Sequence, residues 1–177
     1  MKSKLFFVLF MTSYIASLAQ EQRVSPLSVT ISRYKDTYVK IVYSQPHKNG
    51  RDIFGKLVPF GEVWRTGANE ATEITITRDI LVNGQELKAG TYSIFTIPNT
   101  TTWTIIFNSD LGLWGAYNYN AKKDVLRIVV PTIVTGDVAE AFTIGIDARN
   151  DKADIFLHWD KTKVIIPVKY KEPDLKP

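Results

Sequence analysis

Leu27-Ser28-Val29-Thr30-Ile31, a polar pair at Lys35-Asp36, and Val39-Lys40-Ile41-Val42-Tyr43 decide how this chain folds. Apolar and polar residues largely alternate, a period of two that sends successive side chains to opposite faces of a strand. Two such runs joined by a short polar turn make a hairpin. The same grammar continues downstream. Thr72 to Thr77 sets isoleucine against threonine and glutamate, and Ile80-Leu81-Val82 meets Gln85-Glu86-Leu87 across Asn83-Gly84. Asn-Gly between two apolar-bearing arms is the strongest short hairpin signal, because both residues tolerate a positive φ. Further strands are expected at Thr91 to Ile97, Trp103 to Phe107, Val125 to Val130, Ala141 to Ala148, Asp154 to Trp159 and Lys163 to Lys169. Asn150-Asp151-Lys152 and Asp160-Lys161 read as tight turns between the last three.

Apart from a short turn near Ile53 to Leu57, no window of a dozen residues shows apolar spacing of three and four behind a capping residue. The expected fold is therefore all-β. It is a two-sheet β-sandwich or flattened barrel of roughly nine to eleven strands, mostly antiparallel, with one long ordered loop.

Met1 to Ala19 opens with Lys2 and Lys4, runs through the apolar stretch Leu5 to Met11 and ends in Ser17-Leu18-Ala19. That is the build of a secretory signal peptide with a small-x-small cleavage site. The apolar run is too short for a helical span of about 20 residues. The expectation is an exported chain, periplasmic or extracellular after cleavage near Ala19, with residues 20–177 forming one β-sandwich domain and the tail after residue 170 loose.

With no cysteine, such a domain must rest on packing alone, and thiol catalysis and thiolate metal sites are excluded. Formal net charge is +4, and Lys2 and Lys4 carry two units of it. Lysine and arginine gather into no patch or stripe, so nucleic acid is not an expected partner. Neither His47 nor His158 has metal-ligand spacing, and His158 alternates away from the apolar side set by Leu157 and Trp159, so no metal or cofactor is expected.

Function concentrates in Ser44 to Ala71, SQPHKNGRDIFGKLVPFGEVWRTGANEA, which interrupts the strand pattern for longer than connections in compact domains usually run. Phe54, Leu57, Val58, Phe60, Val63 and Trp64 give it enough apolar surface to fold back on the domain. Arg51, Trp64, Arg65, Asn69 and Glu70 are the candidate ligand-binding residues. An indole face and planar forked donors suit a sugar ring or a carboxylate, and two converging arginines would imply an anion. The same residues also admit a structural reading, with Trp64 plugging the core and Arg65 paired to Glu62, Glu70 or Glu73. Glu70 is the candidate general acid or base. Strand alternation turns Glu73 to the solvent side. Leu111 to Tyr119, with Trp114 and Tyr117, is a second glycine and aromatic loop that could form the opposite lip.

Arg51-Asp52-Ile53-Phe54-Gly55, Leu57-Val58-Pro59-Phe60-Gly61, Trp64-Arg65-Thr66-Gly67-Ala68-Asn69-Glu70-Ala71-Thr72, Ala89-Gly90-Thr91-Tyr92-Ser93 and Trp103 to Asn108 together carry a resemblance. The chain, from about Leu27 to about Tyr170, resembles a family of exported bacterial proteins common in the Bacteroidota, catalogued as domain of unknown function twenty-nine eleven. The resemblance implies an exported, mostly β, single-domain protein and assigns no catalytic residue. Three functional classes remain open: a protein binding a small ligand, glycan or anionic metabolite, at the 44–71 loop; a hydrolase working through Glu70; and a structural module of the cell envelope.

Overall fold

The computed structural model describes residues 24–171. Met1 to Ala19, read as a signal peptide, and the chain end after Lys171 lie outside the described residues. Among the described residues, nine strands form one antiparallel sheet in the order β1-β2-β3-β6-β7-β8-β9-β4-β5. β1 (Leu27–Tyr34) and β2 (Thr37–Ser44) make the first hairpin, β3 is Ala68–Ile76, and β4 (Ile80–Val82) and β5 (Gln85–Leu87) make the Asn-Gly hairpin. β6 (Gly90–Pro98) and β7 (Thr102–Asn108) follow, then two long strands, β8 (Asp124–Arg149) and β9 (Lys152–Tyr170).

The all-β expectation holds, and both early hairpins form where the turn residues place them. In place of two separate sheets there is one hydrogen-bonded ladder, which does not close into a barrel. β8 is what bends it. Its first part, to Pro131, pairs with β7, and from Thr132 onward it pairs with β9. One apolar core is enclosed as a result, drawing Ile41, Ile74, Phe107, Ile128, Ile144, Leu157 and Ile166 from strands along the whole sheet.

The turn expected at Asp160-Lys161 does not exist. Asp160 takes a φ of 52° inside β9, and the buried residues shift from Ala153, Ile155, Leu157 and Trp159 to Val164, Ile166, Val168 and Tyr170. One extra residue changes the parity, so the strand bulges and keeps both halves facing the core. Facing it, Val134 opposes Thr162 and Ala139 opposes Asp160, so β8 also carries an irregularity here. The runs Val125 to Val130 and Ala141 to Ala148 are thereby parts of one strand.

The two ends of the sheet are finished differently. At one end the ladder stops at β5, three residues long and fenced by Lys88 on Glu86 at 2.7 Å, Lys88 on Asp79 at 3.0 Å and Lys171 on Glu86. A short charged edge strand resists pairing with other chains. At the other end β1 returns against β8 and β9: Thr30 Oγ1 donates to the Ile144 carbonyl at 2.6 Å, Tyr170 Oη to Ser32 Oγ at 3.0 Å, and Tyr34 stacks on Tyr170.

A satellite core sits on the outer face. Ala71, Phe95 and Ile106 are buried there under Val63, Leu113, Ala116 and Tyr119. The covering loop, 109–123, is pinned by Asp124, which accepts from Tyr119 Oη at 2.6 Å, Arg127 Nε at 2.7 Å and Asn108 Nδ2 at 2.7 Å. Burial, and next the Asp124 contact, push the Tyr119 phenol above its usual range against the opposing pull of Arg127.

Candidate functional site

Between β2 and β3 the chain crosses one end of the folded sheet and is tied down in three places. At the first, the Lys48 amide donates to Glu140 O at 2.7 Å, the Phe142 amide donates to Pro46 O at 2.9 Å, and Lys48 Nζ reaches Asp160 Oδ2 at 3.0 Å. The bulge of β9 thus anchors the loop. At the second, Ile53 and Val58 are buried, and the turn between them closes through Val58 N to Ile53 O at 2.9 Å and Gly55 N to Val58 O at 2.8 Å. At the third, Trp64 and Thr96 exchange both backbone bonds, at 2.8 and 2.9 Å. An ordered loop, rather than a disordered one, is what its apolar content requires.

Trp64 enters the core from this third anchor. Its ring stacks on Trp159 at 6.0 Å and meets the edges of Phe142 at 5.0 Å, Phe54 at 6.1 Å and Trp103 at 6.2 Å. The indole N–H donates to Gly67 O at 3.1 Å. Edge-to-face pairs contribute about 0.5–1.5 kcal/mol each beyond burial, so Trp64 fixes the loop whatever else it does.

Two residues further on, Thr66 is fully buried with a φ of 59°. A β-branched residue in the left-handed region is an outlier, worth about 1–3 kcal/mol of strain. The conformation is held by Thr72 Oγ1, which donates to Thr66 O at 2.6 Å, and by the Thr66 hydroxyl on Thr96 Oγ1 at 3.2 Å. Gly67 follows in a tight place: a Cβ there would lie 3.0 Å from Ser44 O and would push on the β2 backbone.

Arg65 lies directly before this strained corner, and Arg51 lies earlier in the same loop. Both line a surface cleft of about 210 Å³, together with His47, Asn49, Trp64 and Trp159. Among the described residues no aspartate or glutamate lines this cleft, and neither arginine belongs to an ion pair. Arg51 is exposed and oriented by its own loop, donating from Nε to Lys48 O at 2.9 Å and from Nη2 to His47 O. Arg65 is half-buried, and its Nε has only a long contact, 3.4 Å, to Gly67 O.

The remaining candidates lie elsewhere. Asn69, with a φ of 55°, does not line the cleft; its carbonyl accepts from the Gly115 amide at 2.9 Å and so ties the 109–123 loop to β3. Glu70 lines a different groove, of about 350 Å³, with Glu73, Leu27, Val42 and Tyr43. Ser44 Oγ donates to Glu70 at 3.3 Å, and the Gly112 amide donates to Glu73 Oε1 at 2.9 Å. Glu73 was expected to face solvent on strict alternation, and on that face it shares a groove with Glu70 because the pairing of β2 and β3 slips between Val42 and Ser44. Trp114 and Tyr117 are exposed; Trp114 bridges to Glu70 through its backbone, whereas Tyr117 faces Arg65 across a shallow depression of about 310 Å³.

His158 meets Thr135 Oγ1 at 3.2 Å and lines neither cleft. Among the described residues no group of three or more histidines, aspartates or glutamates could hold a metal ion, and no helix is long and apolar enough to cross a membrane, which says nothing of spanning by strands. Trp159 and Asn49 are cleft residues that pattern reading missed. Trp159 carries no sequence signal, since it reaches the cleft only through the bend of the sheet.

Fold and site together define an all-β protein on one folded antiparallel sheet, with an arginine-bearing cleft lined mainly by one long loop and, among the described residues, by no aspartate or glutamate. The chain belongs to the family described as protein of unknown function DUF2911, which matches residues 25–168. No curated protein and no solved structure matches it.

Proposed function

We propose that this is an exported protein whose single domain binds a small anionic ligand, an organic acid or an acidic sugar, in the cleft between Arg51 and Arg65. One observation carries the reading: two guanidinium groups share a concave surface on which no carboxylate among the described residues neutralises them. Planar forked donors over an indole wall recognise a carboxylate by two parallel hydrogen bonds and a sugar ring by its face. The backbone strain at Thr66 supports it, because strained residues gather at binding sites that the surrounding fold over-determines. Export rests on the signal-peptide build of Met1 to Ala19.

Thermal-shift and calorimetric screens against organic acids, uronates, neutral sugars and cell-wall glycans test the proposal. Anionic compounds bind and Arg65→Ala weakens them about tenfold or more, as the loss of a charge-assisted pair requires. Hits indifferent to Arg65→Ala contradict it.

A second reading, a hydrolase with Glu70 as general acid or base, draws support from the groove that Glu70 and Glu73 share. It requires turnover of a glycosidic or acyl substrate that disappears in Glu70→Gln while the fold is kept.

A further inference from the structure

The cleft between Arg51 and Arg65 does not end at Arg65. That side chain, with Trp64, also walls the second depression, whose far side is Tyr117 and Ala116. At about 210 and 310 Å³ each depression is at or below the small end of ligand sites, which run from about 300 to 1,000 Å³. Taken as one trough divided by Arg65, they fall inside that range. Among the described residues no aspartate or glutamate lines either part.

The two residues that matter on the far side are set by one glycine. A Cβ on Gly115 would lie 2.7 Å from the Tyr117 ring and 3.0 Å from Arg65 Nη1. The phenol ring and the guanidinium therefore both lie flush on the Gly115 backbone, which is held at a φ of 71° by its amide bond to Asn69 O. Tyr117 is 83% exposed, so its ring presents surface to solvent at a fixed place beside a cation. Asn69 thus acts on the site through Gly115, a positioning role. An exposed aromatic ring contributes little to stability and offers an apolar face with two rotatable bonds, the property that makes tyrosine a contact residue.

We infer that the site takes an elongated ligand, an acidic oligosaccharide of two or more rings, with a carboxylate over Arg65 and a following ring stacked on Tyr117. The inference rests on the anion-binding reading and specifies its ligand class. A lone carboxylate metabolite would fill the Arg51 side and leave Tyr117 unused. An acidic peptide would satisfy the charge but not the ring platform.

The test is calorimetry on the full folded chain with galacturonate, its trimer, a neutral trisaccharide and a triglutamate peptide, each against wild type, Tyr117→Ala, Tyr117→Phe and Arg65→Ala. The trimer binds about tenfold or more tighter than the monomer, and Tyr117→Ala removes most of that gain. The monomer is insensitive to Tyr117→Ala, Tyr117→Phe restores the trimer, and Arg65→Ala weakens both uronates. The exposure of Tyr117 keeps its variants folded. Equal affinity for monomer and trimer, a trimer indifferent to Tyr117→Ala, or tighter binding of the neutral sugar or the peptide overturns the inference. Monomer binding that depends on Arg65 without any trimer gain overturns it while leaving the anion reading standing; silence of both uronates overturns it too, and the anion reading then stands or falls on the organic acids.

Discussion

The Tyr43 hydroxyl accepts a hydrogen bond from the Ile144 amide at 3.1 Å, joining residues 101 apart in the chain. It lies at the seam where β1 and β2 return against β8, and there side chains do what a strand ladder would otherwise do. Thr30 serves the carbonyl of the same Ile144, and Gln45 Nε2 serves the carbonyl of Phe142 at 3.0 Å. The sheet is thereby folded shut without being a closed barrel, and the end of that seam is where the candidate cleft opens.

Tyr43→Phe keeps the ring and removes the acceptor, leaving the buried Ile144 amide without a partner. Such a group costs about 1–3 kcal/mol. Urea denaturation is expected to show that loss, with faster amide exchange at Ile144. An unchanged midpoint would mean that the seam is held by packing alone.

Gly67→Ala places a methyl 3.0 Å from Ser44 O and 3.3 Å from Thr72 Oγ1. The nearer neighbour is backbone of β2 and yields little, so overpacking costs about 1–3 kcal/mol. Because Gly67 O also receives the Trp64 indole and Arg65 Nε, anion affinity is expected to fall with stability. Binding that survives undiminished would separate the corner from the site.

Asp124→Ala strips acceptors from Tyr119, Arg127 and Asn108 at once. The carboxylate is only 9% exposed, so about 1–3 kcal/mol is at stake and the 109–123 loop is expected to loosen over Phe95. Limited proteolysis within 109–123 reads this directly; equal resistance in variant and wild type contradicts it.

Asp79 and Glu86 titrate below their ordinary values of 3.8 and 4.5, Asp79 chiefly through the Ala89 amide and Glu86 chiefly through Lys171, with Lys88 bonded to both. Both folded-state values are depressed, so their contribution to the β4–β5 hairpin is present above those ordinary values and is lost as the pH falls through the lowered ones. Lys88 is raised above 10.5 by the same partners, so its share is lost only as the pH climbs past that value. Carboxyl carbon NMR is expected to show both midpoints rising in Lys88→Ala. Ordinary midpoints in the wild type would contradict the geometry.

Much of the fold was legible because its signals are local. Lys35-Asp36 and Asn83-Gly84 make turns from their own backbone preferences, and both hairpins stand where those residues are. Asp160 misled for the same local reason: a polar residue at positive φ reads as a turn, and only its tertiary partner, Lys48, shows that it is a bulge on which the loop is hung. At the site, Arg51, Trp64 and Arg65 were visible as chemistry concentrated in one loop, and their shared cleft follows from the three anchors. Glu70 was assigned to the same group by nearness in sequence. A slip of register in the pairing of its own strand with β2 places it in another groove, which no spacing along the chain could reveal.

Trp64→Ala is a poor probe of binding, since it dismantles four aromatic contacts together. The indole signals themselves are better. The chain has four tryptophans; Trp64 and Trp159 line the cleft and Trp114 lies outside it. Titrating nitrogen-labelled protein with galacturonate is the most direct measurement. The indole N–H signals of Trp64 and Trp159 are predicted to move and saturate while that of Trp114 stays, with the response gone in Arg65→Ala. A titration that leaves Trp64 and Trp159 still, or that moves them equally in Arg65→Ala, contradicts the anion site.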